Sequence, residues 1–236
     1  MSDMLPPVVD LAAAALRAEL GDNLHSVCLY GSIARGNPID GISDINLLIV
    51  LKESDPASHE KVAVAIGSES NIDPLVVPLD NFPRTVRAFA ARFGSFKQHY
   101  RVIHGADPIR SIEIDSVLER LDCEHGLRDL REQLVHAFIT RAQHKEYGTA
   151  LAQAVTPIFV RASQVLRLTG KKLTGHFADR VEPLARELGL DSSTLIDLLI
   201  FKSEPSALTE EETVRWHERV STVPNTLIQW VEKNWP

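Results

Sequence analysis

Cysteine is scarce in this sequence, which has two in 236 residues. Cys28 lies in an apolar run and Cys123 in a polar stretch with helical spacing, so the two form no disulfide framework. Proteins that do without disulfides are typical of reducing compartments, and we therefore predict a cytoplasmic location.

Long hydrophobic runs are also missing. No apolar stretch approaches the roughly 20 residues that a membrane helix needs. The first ten residues, MSDMLPPVVD, lack the basic start and apolar centre of a secretory signal. We expect no membrane partner.

The sequence has no excess of positive charge. Its 25 Lys and Arg residues face 32 Asp and Glu residues, and the net charge is −7. This balance argues against broad nucleic-acid binding, which needs basic surface to neutralise phosphates, but it leaves room for a local basic pocket. The hydrophobic content of 44% is ordinary for a globular protein long enough for one large domain or two small ones.

The first half of the chain alternates between helix and strand patterns. Helices are predicted over residues 8–20, 56–66 and 83–93, and strands over 25–30, 45–51, 72–79 and the start of 100–108. The strand 45–51 is apolar nearly throughout, so we expect it to be covered on both faces. Pro74 and Pro78 place the strand 72–79 near a sheet edge.

The second half has no strand signal. Helix patterns cover residues 114–146, 149–169, 176–188, 191–202 and 209–234, with breaks expected near Gly126 and Pro224. Helices joined by short turns are typical of a bundle. We therefore predict an α/β domain over residues 1–110 and an all-α helical bundle over 111–236.

One turn between two strands has the composition of an anion site. Gly31 allows the backbone to approach a ligand closely, and Ser32 adds a hydroxyl. The amide groups of the next turn would face an anion, and Arg35 would supply a cation.

Acidic residues follow at the edge of the next strand. Asp44 and position 46 lie two apart, so they share a face of the strand, and two carboxylates there would hold a hard divalent cation. Asp73, which enters the third strand, would complete a two-metal site, with Asp40 and Asp80 as alternative acidic residues. Position 46, however, is Asn46.

These residues resemble the nucleotidyltransferase superfamily related to polymerase beta. The resemblance rests on GSIARG at 31–36 followed by SDINLLIV at 43–50, and the groups it resembles most are the minimal and the aminoglycoside nucleotidyltransferases. It implies a mixed sheet with flanking helices, followed by a helical bundle.

The resemblance also implies roles for individual residues. Gly31 and Ser32 would bind the triphosphate of a nucleoside triphosphate. Asp44 and Asp73 would be catalytic and, with Asn46, would bind Mg²⁺ or Mn²⁺. A nucleoside monophosphate would pass to a hydroxyl of a small-molecule or protein acceptor.

Asn46 leaves a second interpretation open. An amide oxygen can coordinate a metal, but it is neutral, so the site loses one negative charge. The alternative is a catalytically impaired homologue that binds a nucleotide or a partner as a regulator. In a third interpretation, the bundle mediates dimers.

Overall fold

The computed structural model describes residues 5–35, 45–67, 71–144, 147–171, 173 and 175–235. The chain divides into two compact units, Met1–Leu118 and Glu119–Pro236. The strands of the described part all lie in the first unit, and the second is helical.

Among its described residues, the first unit has four strands and four complete α-helices. The strands are β1 (Leu24–Tyr30), β2 (Ile45–Leu51), β3 (Ile72–Pro78) and β4 (Tyr100–Gly105). The helices are α1 (Pro7–Leu20), α2 (Pro56–Ile66), α3 (Phe82–Ala88) and α4 (Ala90–Phe96). The strand order is β3-β2-β1-β4, with β2 and β3 parallel and the other two pairs antiparallel. The predicted mixed sheet with flanking helices is confirmed, and so is the edge position of the proline-containing strand.

The remaining helices are α5 (Ser116–Ile139), α6 (Arg141–His144), α7 (Tyr147–Leu168), α8 (Phe177–Leu188), α9 (Ser192–Ser203) and α10 (Glu210–Asn234). The predicted all-α second part is thus confirmed. Within the described ranges, none of the helices has the length and apolar character needed to cross a membrane.

Strand β2 is covered on both faces, as its apolar sequence predicts. Its odd-numbered residues lie in a core with residues of α1 and α2. Leu48 and Val50 lie in a second core with residues of α3 and α4. Both residues are fully buried, so β2 holds the two layers of the unit together.

Three local predictions were wrong. The helix predicted over 83–93 is two helices separated at Phe89, whose φ of −121° and ψ of 45° leave the helical region although no Gly or Pro lies there. Helix α5 runs through Gly126, where an added Cβ would lie 2.2 Å from the guanidinium carbon of Arg161; the glycine serves a close approach. Helix α10 runs through buried Pro224, because its buried apolar residues offset the roughly 3 kcal/mol cost of proline.

Burial of β2 makes a direct prediction about stability. Leu48→Ala should lower the free energy of unfolding by about 2–5 kcal/mol, since the lost methyl groups leave a cavity between two packed layers. Urea unfolding followed by circular dichroism measures this. Leu11→Ala is the matched control, because Leu11 is 69% exposed on α1 and should change the free energy by less than about 0.5 kcal/mol. Equal effects of the two changes would contradict the two-sided burial.

An aromatic cluster in the second unit surrounds His217. The His217 ring stacks on the Phe138 ring, with the two centroids 3.9 Å apart and the two planes at 6°. The Nδ1 atom of His217 lies 2.9 Å from the hydroxyl oxygen of Tyr147. Burial lowers the pKa of His217, and the positive charge of Arg141 lowers it further, although Glu218 acts in the opposite sense. The folded protein therefore favours the neutral ring.

This cluster predicts that stability falls with acidification. Because the folded-state pKa of His217 lies below the unfolded value near 6.5, the unfolded chain takes up the proton first, and stability is lost as the pH falls below about 6.5. His217→Gln should flatten the dependence of the unfolding midpoint on pH between about pH 7 and 5. His125→Gln, at an exposed position on α5, is the control and should leave the slope unchanged.

Candidate functional site

A row of side chains crosses the whole sheet at one end. Tyr30 of β1 pairs with Tyr100 of β4 on one side and with Asn46 of β2 on the other. Asn46 in turn pairs with Asp73 of β3. Since side chains alternate along a strand, these residues lie on the sheet face that carries Leu48, the face covered by α3 and α4.

The Gly-Ser turn follows β1 directly beside this row. The amide of Arg35 donates to the carbonyls of Gly31 and Ser32 at 3.3 and 3.2 Å. Residues 32–35 form turns. Ile33 is buried in the core with α1 and α2, which fixes the turn to the sheet.

Gly31 has two reasons to be glycine. Its φ is +83°, in the region that residues with a Cβ rarely adopt. A Cβ added there would also lie 3.0 Å from Nδ2 of Asn46. The turn and the Asn46 amide are thus packed directly against each other, so the backbone of the turn lies within reach of whatever Asn46 binds.

Tyr30 is the aromatic member of the row. Its ring lies 3.9 Å from the ring of Phe96 in α4, measured between centroids. The pKa of Tyr30 is raised to about 12, first by burial and then by the carboxylate of Asp73, while Arg92 acts in the opposite sense. The hydroxyl therefore stays protonated at neutral pH and lies within electrostatic range of one anionic and one cationic side chain.

Arg35 lies partly buried at the end of the turn. Burial lowers the pKa of its guanidinium group, and its buried Nε has no hydrogen-bond partner among the described residues. A partly desolvated cation beside a glycine turn is suited to an anionic ligand.

The structure brings together most of the predicted site. Asn46 and Asp73 lie opposite each other on neighbouring strands, and the Asn46 side chain lies close to the backbone of Gly31. Ser32 and Arg35 lie in the adjoining turn. Asp44 and Asp40 lie outside the described residues. Asp80 follows the far end of β3, away from this row.

Two residues beside the row were not singled out from the sequence. Tyr30 immediately precedes the glycine turn, and its place at the end of an apolar strand could have marked it as a neighbour of the site. Arg92 lies on a helix about 60 residues away along the chain, and its proximity depends on how α4 packs on the sheet.

The oxygen donors of the row suit a hard divalent cation. Asp73 offers an exposed carboxylate, and the Asn46 amide offers a neutral oxygen on the neighbouring strand. Within the ranges the structure describes, no group of three His, Cys, Asp or Glu side chains could hold a metal by itself. A third donor would have to come from outside those ranges, where Asp44 lies.

The fold is shared with a solved adenyltransferase. The structure titled spectinomycin adenyltransferase AAD(9) from Enterococcus faecialis, with ATP and spectinomycin, matches with a TM-score of 0.65 and 14% sequence identity. The match covers 97% of this chain and 100% of that chain. No protein-family model and no curated protein sequence matches this chain. At 14% identity the likeness establishes the fold alone.

The contact between Gly31 and Asn46 predicts a coupled effect. Gly31→Ala should destabilise the protein by about 1–3 kcal/mol, because of backbone strain and because the new methyl group displaces the Asn46 amide. In an Asn46→Ala background roughly 0.5–1 kcal/mol of that cost should disappear. A double-mutant cycle in urea measures the coupling.

Gly170→Ala is the matched control for backbone strain. Gly170 has a φ of +85°, and nothing lies within 4 Å of the position of its added Cβ. Gly170→Ala should change the free energy of unfolding by the same amount with and without Asn46→Ala. A coupling of zero for Gly31 would mean that the Asn46 side chain moves aside freely.

Proposed function

We propose that this chain is a nucleotidyltransferase that transfers a nucleoside monophosphate from a nucleoside triphosphate to a hydroxyl group of an acceptor. The observation that carries the proposal is the register pair Asn46–Asp73 beside the Gly31 turn, in a fold shared with an ATP-bound adenyltransferase. A glycine turn suits a triphosphate, and oxygen donors on adjoining strands suit the metal that accompanies it.

Each residue of the site has a distinct role in this proposal. The backbone at Gly31 and the hydroxyl of Ser32 would bind the triphosphate, with Arg35 as a nearby cation. Asp44, Asn46 and Asp73 would hold Mg²⁺ or Mn²⁺, and Asp73 would accept the proton of the attacking hydroxyl. The metal, when bound, would neutralise phosphate charge and orient the triphosphate.

The acceptor oxygen would attack the α-phosphorus. The bond between the α-phosphorus and the bridging oxygen breaks, and pyrophosphate leaves with the electron pair. Tyr30 stays protonated through this sequence, so it serves as a hydrogen-bond donor rather than a base.

A second candidate rests on Asn46 itself. With a neutral amide in place of a carboxylate, cation affinity falls, and the chain would act as a catalytically impaired homologue that binds a nucleotide or a partner. Cytoplasmic location, the small-molecule or protein acceptor and dimer formation through the bundle stay predictions.

Metal binding in the presence of a non-hydrolysable ATP analogue separates these candidates. The native protein should bind Mn²⁺ with the analogue, and Asn46→Asp should tighten Mn²⁺ binding at least roughly tenfold by adding a charge next to Asp73. Asp73→Asn should abolish it. Electron paramagnetic resonance counts free Mn²⁺, and α-labelled ATP with candidate acceptors tests transfer.

Asp80→Asn is the matched control for these changes. It removes the same charge from an exposed position in the turn after the far end of β3 and should change neither binding nor transfer. Transfer by the native protein at a rate that Asn46→Asp does not raise would exclude the impaired homologue. Absence of nucleotide binding in every variant would exclude the transferase.

A further inference from the structure

Two long stretches of this acidic chain, residues 81–106 and 147–178, carry no carboxylate, and the first of them lies in the unit that holds the candidate site. Between Asp80 and Asp107, residues 81–106 contain four arginines and one lysine but no Asp or Glu, although the whole chain has a net charge of −7. The stretch includes α3, α4 and β4. A strongly basic segment in an acidic protein indicates a local surface for anions.

Three of these cations are exposed on α3 and α4. Arg84, Arg87 and Arg92 are exposed, and none of them has an ion pair with a residue that the structure describes. The opposite side of the two helices is held in the core by Val86 and Phe93. The helices therefore present their positive charge outward from a fixed support.

An aromatic ring lies beside one of the three arginines. Phe89 separates α3 from α4 and is 45% exposed. The guanidinium of Arg92 lies 5.2 Å from the centre of its ring. We call Arg84, Arg87, Phe89 and Arg92 the basic face.

The basic face adjoins the candidate site. Phe96, one turn after Arg92 on α4, packs against the Tyr30 ring. The charge of Arg92 also acts on the Tyr30 hydroxyl, on which Asp73 acts in the opposite sense. One member of the basic face, Arg92, is thus within electrostatic range of the row that contains Asp73.

We propose that the basic face binds single-stranded nucleic acid, with phosphates on the three arginines and an unpaired base stacked on Phe89. Cations without carboxylates supply the electrostatic attraction, and an exposed aromatic ring distinguishes unpaired bases from other polyanions. The surface is local, which is compatible with the absence of broad nucleic-acid binding predicted from the net charge. If the chain is a transferase, a terminal hydroxyl of the bound strand is the candidate acceptor; that clause alone rests on the proposed function.

Fluorescence anisotropy with a labelled 12-nucleotide single strand tests the binding without metal or nucleoside triphosphate. Its result is therefore independent of transferase activity. Binding by the native chain should weaken roughly tenfold to twentyfold between 50 and 200 mM salt, as expected when three cations release counterions from a single strand. The triple change Arg84→Gln/Arg87→Gln/Arg92→Gln should remove most of the binding and its salt dependence.

A matched triple change controls for overall charge. Arg17→Gln/Lys52→Gln/Lys61→Gln removes three exposed cations from α1, α2 and the end of β2. It should weaken binding less than about threefold, since such distant charges are largely screened. Phe89→Ala should weaken binding roughly tenfold, and Phe89→Tyr should restore it, because both aromatic rings stack on a base. Thermal melts establish that each variant is folded.

Competition identifies the ligand class. An unlabelled single strand should displace the probe, whereas duplex of the same sequence, mononucleotide and anionic phosphatidylserine vesicles should do so at least roughly tenfold less well. Preference for the single strand, together with loss of binding in the triple basic-face variant and in Phe89→Ala, supports the proposal. The proposal is overturned if the native chain does not bind the single strand at 50 mM salt or if the two triple variants lose binding equally. It is also overturned if duplex or vesicles compete as well as the single strand.

Discussion

The parallel pairing of β2 with β3 is the constraint on which the rest of the first unit depends. It fixes Asn46 against Asp73, while the antiparallel pairing of β2 with β1 fixes Asn46 against Tyr30. A shift of one residue would turn every side chain of β2 to the opposite layer and would place the polar Asn46 on the side of the apolar core with α1 and α2. The packing of β2 therefore sets both the stability of the unit and the geometry of the candidate site.

Local sequence signals were enough for the elements that bear this constraint. Strand β2 and helix α2 have the predicted bounds, and β2 was marked by a run that is apolar nearly throughout. The interruption at Phe89 was not predictable, since no breaker residue marks it. Pro224 was misjudged for the opposite reason: tertiary packing of α10 outweighs a strong local breaker.

The candidate site was predictable only in part, and the difference between the predictable and the unpredictable residues has a physical cause. The glycine turn and the acidic strand edge are contiguous in sequence, so a motif contains them. The row from Tyr100 through Tyr30 and Asn46 to Asp73 joins residues up to 70 apart, and it exists only once the register of four strands is known. The nearness of Arg92 to Tyr30 likewise arises from helix packing.

Asn46 has opposite consequences for folding and for cation binding. Like charges directly opposite on neighbouring strands destabilise a sheet, so an aspartate at position 46 would repel Asp73 until a cation bound between them. The amide removes that repulsion and packs closely against Gly31. It also lowers the negative charge that would attract the cation. The residue that would weaken cation binding therefore favours the cation-free protein, and the positive charges of Arg35 and Arg92 would favour anionic ligands further.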